Sequence, residues 1–113
     1  MNTLFLLVPT RRPSHIAAWN TSSTSILLSW KPLADPYFLH GIPRGYLITY
    51  NRIDGLESTV QVQVHSSTLS LEVESLDEYV EYQFRVCAFT VKGAGPFYGI
   101  NCTTDQDGKE SNK

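Results

Sequence analysis

What this chain has little of narrows its function before any motif is read. Two cysteines and one methionine in 113 residues are too few for a disulfide-dense scaffold or a cysteine-built metal site. The longest apolar run, Leu4-Phe5-Leu6-Leu7-Val8, falls far short of the ~20 residues that cross a bilayer. It is also shorter than a signal-peptide core, and no basic residue precedes it. Residues 1–12 are therefore expected to be an N-terminal connecting segment of a longer protein, and no membrane span is expected within the chain. Arg11-Arg12 is the only basic pair and the formal net charge is −2, so nucleic-acid binding has no electrostatic footprint. No Gly-rich phosphate loop opens a helix. His15, His40 and His65 are scattered without metal-ligand spacing, and nothing aligns a nucleophile with a base. The expectation is a non-enzyme with no cofactor and no metal.

What remains is ordinary globular composition, 42% hydrophobic and 18% charged, enough for one domain around one core. The apolar residues alternate. Tyr82, Phe84, Val86 and Ala88 take every second position, with Glu81, Gln83, Arg85 and Cys87 between them, a period of two that belongs to a β-strand. The same reading gives strands over 15–20 (Ile16 and Ala18 inward), 25–31 (Ile26, Leu28 and Trp30 inward) and 46–51. It adds 58–64, 68–73 (Leu69, Leu71 and Val73 inward), 79–90 and 98–104. Asp54-Gly55 signals a hairpin turn, and Lys92-Gly93-Ala94-Gly95-Pro96 a second. Pro32, Pro36, Gly41, Pro43 and Gly45 make 31–45 a long loop. Seven short strands and no helix predict an all-β, seven-stranded antiparallel, immunoglobulin-like β-sandwich over 13–104, followed by a polar C-terminal linker or tail, 105–113.

Four sequence features in the right order resemble the fibronectin type III family. Trp30 ends the second strand as the family's buried tryptophan does, and Gly45-Tyr46-Leu47-Ile48-Thr49-Tyr50 is similar to its Gly-Tyr-x-aliphatic-x-Tyr strand. Leu76 precedes Tyr82 by six residues, and Gly93-Ala94-Gly95-Pro96 is similar to its Gly-x-Gly-Pro turn. The resemblance implies that Trp30, Tyr46, Leu76 and Tyr82 define the core, with the Tyr82 hydroxyl turned back to the corner before it. Glu78 stands where many members have proline. There is no Arg-Gly-Asp in the expected loop, Arg52-Ile53-Asp54-Gly55 being only superficially similar, and no Trp-Ser-x-Trp-Ser box. An antibody-like domain is disfavoured, since the second strand has no cysteine.

The remaining candidates are surface features. If the last hairpin turns at Ala94-Gly95, Cys87 and Cys102 lie opposite each other on the outer face, and a disulfide is expected. Two N-glycosylation sequons occur, at Asn20-Thr21-Ser22 and Asn101-Cys102-Thr103. An outward Cys102 would turn Asn101 towards the core, so glycan and disulfide compete there and the disulfide is the expected winner. Trp19 falls outward on the first strand, either to meet a partner or to lie against a loop. Tyr37 and Phe38 in the long loop are either a recognition tip or a lid on the sandwich. These point to a protein-interaction and spacer module whose partners are other proteins or neighbouring domains. The resemblance implies one bead of a tandem array in a cell-adhesion or receptor-like protein, extracellular or at the cell surface. A cytoplasmic scaffold module of muscle or cytoskeleton is the alternative, and a ligand-binding receptor fragment a third reading.

Overall fold

The computed structural model describes residues 11–32 and 43–104. Tyr37, Phe38, His40, residues 1–10 of the connecting segment and the tail 105–113 lie outside the described residues. Among the described residues there are eight strands: β1 (Ser14–Ser22), β2 (Ser25–Lys31), β3 (Pro43–Arg52), β4 (Val60–His65), β5 (Ser70–Val73), β6 (Glu81–Thr90), β7 (Gly93–Ala94) and β8 (Tyr98–Thr103). They form two antiparallel sheets, β1-β2-β5 and β4-β3-β6 with β7 and β8 both paired to β6. Apart from the two-residue β7, these are the seven strands the alternation predicts.

The inward set of each strand makes the core. Ile26, Leu28 and Trp30 of β2 meet Tyr46 and Ile48 of β3 and Tyr82, Phe84, Val86 and Ala88 of β6, all buried. Trp30 packs edge-on against Tyr46, with ring centroids 5.6 Å apart, an arrangement in which the positive ring edge meets the negative face. Gly45, just before this tyrosine, is glycine for a steric reason. A Cβ there would lie 1.9 Å from the backbone oxygen of Val64 on β4.

The sandwich has two distinct poles. Ser14 opens β1 beside Lys31, and Pro43 opens β3 beside Thr90, at what we term the upper pole. At the lower pole lie the ends of β3 and β8 and the start of β6, where the Thr104 N–H donates to the Val80 carbonyl at 3.0 Å. The strand that opens the domain and the strand that closes it thus have their outer ends at opposite poles.

The last hairpin departs from expectation. β7 pairs Thr90 with Gly93 and Phe89 with Ala94, so the chain reverses at Val91-Lys92. The Lys92 N–H is held by Thr90 Oγ1 at 3.1 Å. The Gly-rich stretch follows the turn instead of making it. β8 then pairs Cys102 with Tyr82, Ile100 with Phe84 and Tyr98 with Val86. Cys102 therefore stands five positions along β6 from the expected Cys87, and an odd displacement exchanges the two faces of a strand. Cys102 packs against the core. Cys87 is fully buried beside Leu47 of β3 on the other face of the sheet. The expected Cys87–Cys102 disulfide is not formed, and both residues are thiols.

Candidate interaction surfaces

The lower corner is built by the segment 74–80 and explains why Leu76 and Tyr82 occur six residues apart. Leu76 is buried and its N–H donates to the Thr24 carbonyl at 2.9 Å. That leaves the next amide, Asp77, to donate to the Tyr82 hydroxyl at 2.9 Å, so the tyrosine turns back to the corner as expected. Thr104 completes the latch. It is fully buried, its Oγ1 accepts the Val80 N–H at 3.0 Å, and it donates to the Asp77 carbonyl. Sequence reasoning ended the last strand at Thr104 but gave that residue no structural role. Its signal was its phase, since Tyr98, Ile100, Cys102 and Thr104 alternate inward.

Outside this latch, Arg52 bridges Asp54 (2.7 Å) and Asp77. Hydrogen bonding from Arg52 holds the Asp54 carboxyl below its ordinary range, and the same pair raises the guanidinium. Around this charged centre the pole exposes apolar side chains. Leu56 and Tyr79 are 73% and 68% exposed, and the exposed Ile53 shares a cleft with Tyr79. Tyr79 is held at φ 61, a left-handed conformation unfavourable for a bulky residue. The Asp54-Gly55 turn is present, with the Gly55 N–H on the Arg52 carbonyl at 3.1 Å and φ 75 at the glycine.

The upper pole carries a shallow cleft lined by Arg44, Gln63, His65, Phe89 and Val91. His65 Nδ1 there accepts the Ser67 N–H at 3.0 Å. Trp19 lies away from both poles, on the outer face of the smaller sheet, 44% exposed. Its register neighbour on β2 is the half-buried Leu27, whose own neighbour on β5 is Glu72. Thr21 Oγ1 donates to that Glu72 at 2.7 Å. The row gives a flat aromatic and aliphatic strip with an acid at one edge, which suits contact with another protein surface.

The two sequons have opposite surroundings. Asn20 pairs with the buried Ile26 and points inward, its Nδ2 buried and unpartnered among the described residues. Asn101 faces outward and is exposed, contrary to expectation, because the corrected register turns Cys102 inward. Cys87 is shut off from chemistry by burial, which pushes its thiol up to about 11, and a thiol is a poor nucleophile until ionised. Among the described residues no group of three or more His, Cys, Asp or Glu is placed to hold a metal, and no helix is long and apolar enough to cross a membrane.

The family model described as "Fibronectin type III domain" matches residues 11–100. Human neogenin is 35% identical over 89 residues, covering 79% of this chain and 6% of that protein. Human protein sidekick-1 is 39% identical over 93 residues, covering 79% and 4%. The rat cell adhesion molecule DSCAM is 37% identical over 90 residues, covering 78% and 4%. The chain thus spans a small fraction of the relatives it matches. Among solved structures, the fn3 domain of human contactin 1 superposes with a TM-score of 0.76 at 26% identity, covering 88% of this chain and 81% of that one.

Proposed function

This chain belongs to the fibronectin type III family, and we propose that it works as a spacer and docking module over residues 13–104 of a longer cell-surface adhesion or receptor protein. The domain is itself non-catalytic, as modules of this family in adhesion receptors are. The observation that carries the spacer role is the placement of the outer ends of β1 and β8 at opposite poles. Segments continuing from them leave in opposite directions, so modules on either side would be held a full strand length apart. Support for the adhesion setting comes from neogenin, the sidekick proteins and DSCAM, all matched over most of this chain. The matched protein described as a putative receptor-type tyrosine-protein phosphatase of Aedes aegypti shares only this domain's portion of its length, so its catalysis does not pass to this chain.

The partners are other proteins, met through the Trp19–Leu27 strip, and adjoining domains, met through the poles. Thiol content does not discriminate compartments for this chain, because the register separates Cys87 from Cys102 in any redox environment. Location does. An antibody against this chain is expected to label intact, unpermeabilised cells that express the native gene. Labelling confined to permeabilised cells would overturn the surface reading in favour of the cytoplasmic scaffold.

A further inference from the structure

We propose that Asn101 is the N-glycan acceptor of this module and that Asn20, which also carries a sequon, is not. The sequence alone ranks them the other way, so the inference rests on the structure.

In a strand, residues two apart share a face. Asn101 and Thr103 of β8 therefore present the acceptor amide and the sequon hydroxyl side by side, and both are exposed. Gly99, two residues earlier on the same face, has no side chain to crowd a first sugar. The facing positions of β6 are Glu81, Gln83 and Arg85, polar groups that suit a carbohydrate covering. Asn101 Nδ2 already donates to Glu81 Oε2 at 3.4 Å.

At Asn20 each of these conditions fails. The amide nitrogen that would carry the sugar is buried between the sheets. The sequon hydroxyl, Ser22 Oγ, is engaged with Ser25 Oγ at 2.6 Å and accepts the Thr24 N–H at 3.2 Å. A glycan added there during synthesis would have to be pushed into the core for β1 to pair with β2, so the modified chain could not complete its fold.

The transfer forms a bond from Asn101 Nδ2 to the anomeric carbon of an oligosaccharide carried on a lipid pyrophosphate. The carbon–oxygen bond to the pyrophosphate breaks, the lipid pyrophosphate leaves, and the amide gives up one of its two protons. The remaining N–H is still available to Glu81. A glycan at this place covers the outer face of β6–β8 and leaves the Trp19 strip of the opposite sheet open, which directs protein partners to that strip.

Occurrence in the native protein rests on the cell-surface reading; competence of the site does not, and the experiment separates them. The full chain is secreted from cultured animal cells behind an added signal peptide, treated with peptide N-glycosidase and mapped by mass spectrometry. The enzyme is expected to lower the mass by one glycan and to leave aspartate at 101 and unmodified asparagine at 20. Thr103→Ala is expected to abolish the glycan, Thr103→Ser to keep it, and Ser22→Ala to leave it unchanged. The serine variant guards against a folding defect. No glycan on the secreted, folded chain, or a glycan mapped to Asn20, overturns the proposal. A glycan on the secreted chain but none on the protein from its native source supports the site and overturns the cell-surface reading.

Discussion

Single residues fix this sandwich at points where no substitute fits. Gly45 is the sharpest, since its missing Cβ makes room for a backbone oxygen and not for a side chain that might move. Gly45→Ala is expected to cost about 3 kcal/mol, the upper end of overpacking effects, read as a lowered urea midpoint. Cys87 sets a second condition through its proton. Burial raises the folded thiol from its ordinary 9.0 to about 11, whereas the unfolded chain ionises at the ordinary value. Its contribution is therefore complete below about pH 9 and is lost as pH climbs from there towards 11, by up to about 1.4 kcal/mol per pH unit. Urea melts at about pH 8 and pH 10.5 should show this loss in the native sequence and a smaller one in Cys87→Ala.

At the scale of elements, alternation carried most of the fold, because half-buried strands write their faces into the sequence. β2, β3, β5 and β6 bury the residues their period assigns. The pair Leu76 and Tyr82 was legible as a corner for the same reason, one residue filling the core and the other returning a hydroxyl to it. The hairpin was not legible. Glycine and proline mark where a turn is cheap, yet the reversal falls just before them, at Val91-Lys92, where Thr90 supplies the hydroxyl that holds the turn. That displacement accounts for both misplaced features, the disulfide and the rejected Asn101. It also makes a prediction about the thiols. In the native state Cys102, half-buried at the sheet margin, should react with a bulky disulfide reagent well before Cys87, which waits for local opening. Two equivalent fast thiols, or none after unfolding, would contradict the observed register.

For the whole molecule the informative contrast is between its surfaces. The lower pole exposes Ile53, Leu56 and Tyr79 around the Arg52 ion pairs, and it is where β8 ends. An adjoining module leaving from that strand would find an apolar seat beside its own linker. Changing Ile53, Leu56 and Tyr79 together to serine is expected to leave the stability of the single module within about 1 kcal/mol, since exposed side chains contribute little. In a tandem protein the same change should loosen the angle between modules, visible as a broader distance distribution in X-ray scattering. An unchanged distribution would remove this pole from the docking surfaces.

Opposite poles also determine how the module answers tension. A pull applied through the flanking chain runs along β1 and β8, so each is dragged lengthwise past its neighbour and its row of hydrogen bonds must give way together, not one at a time. The two rows are unequal. β8 lies on β6 in unbroken register from Glu81 to Val86, whereas β1 is interrupted twice against β2, between Ser14 and Ala17 and between Asn20 and Ser22. Under load β1 is therefore expected to slip first, read in single-molecule pulling as a short extension that precedes the main unfolding step; one step with no such precursor would contradict it.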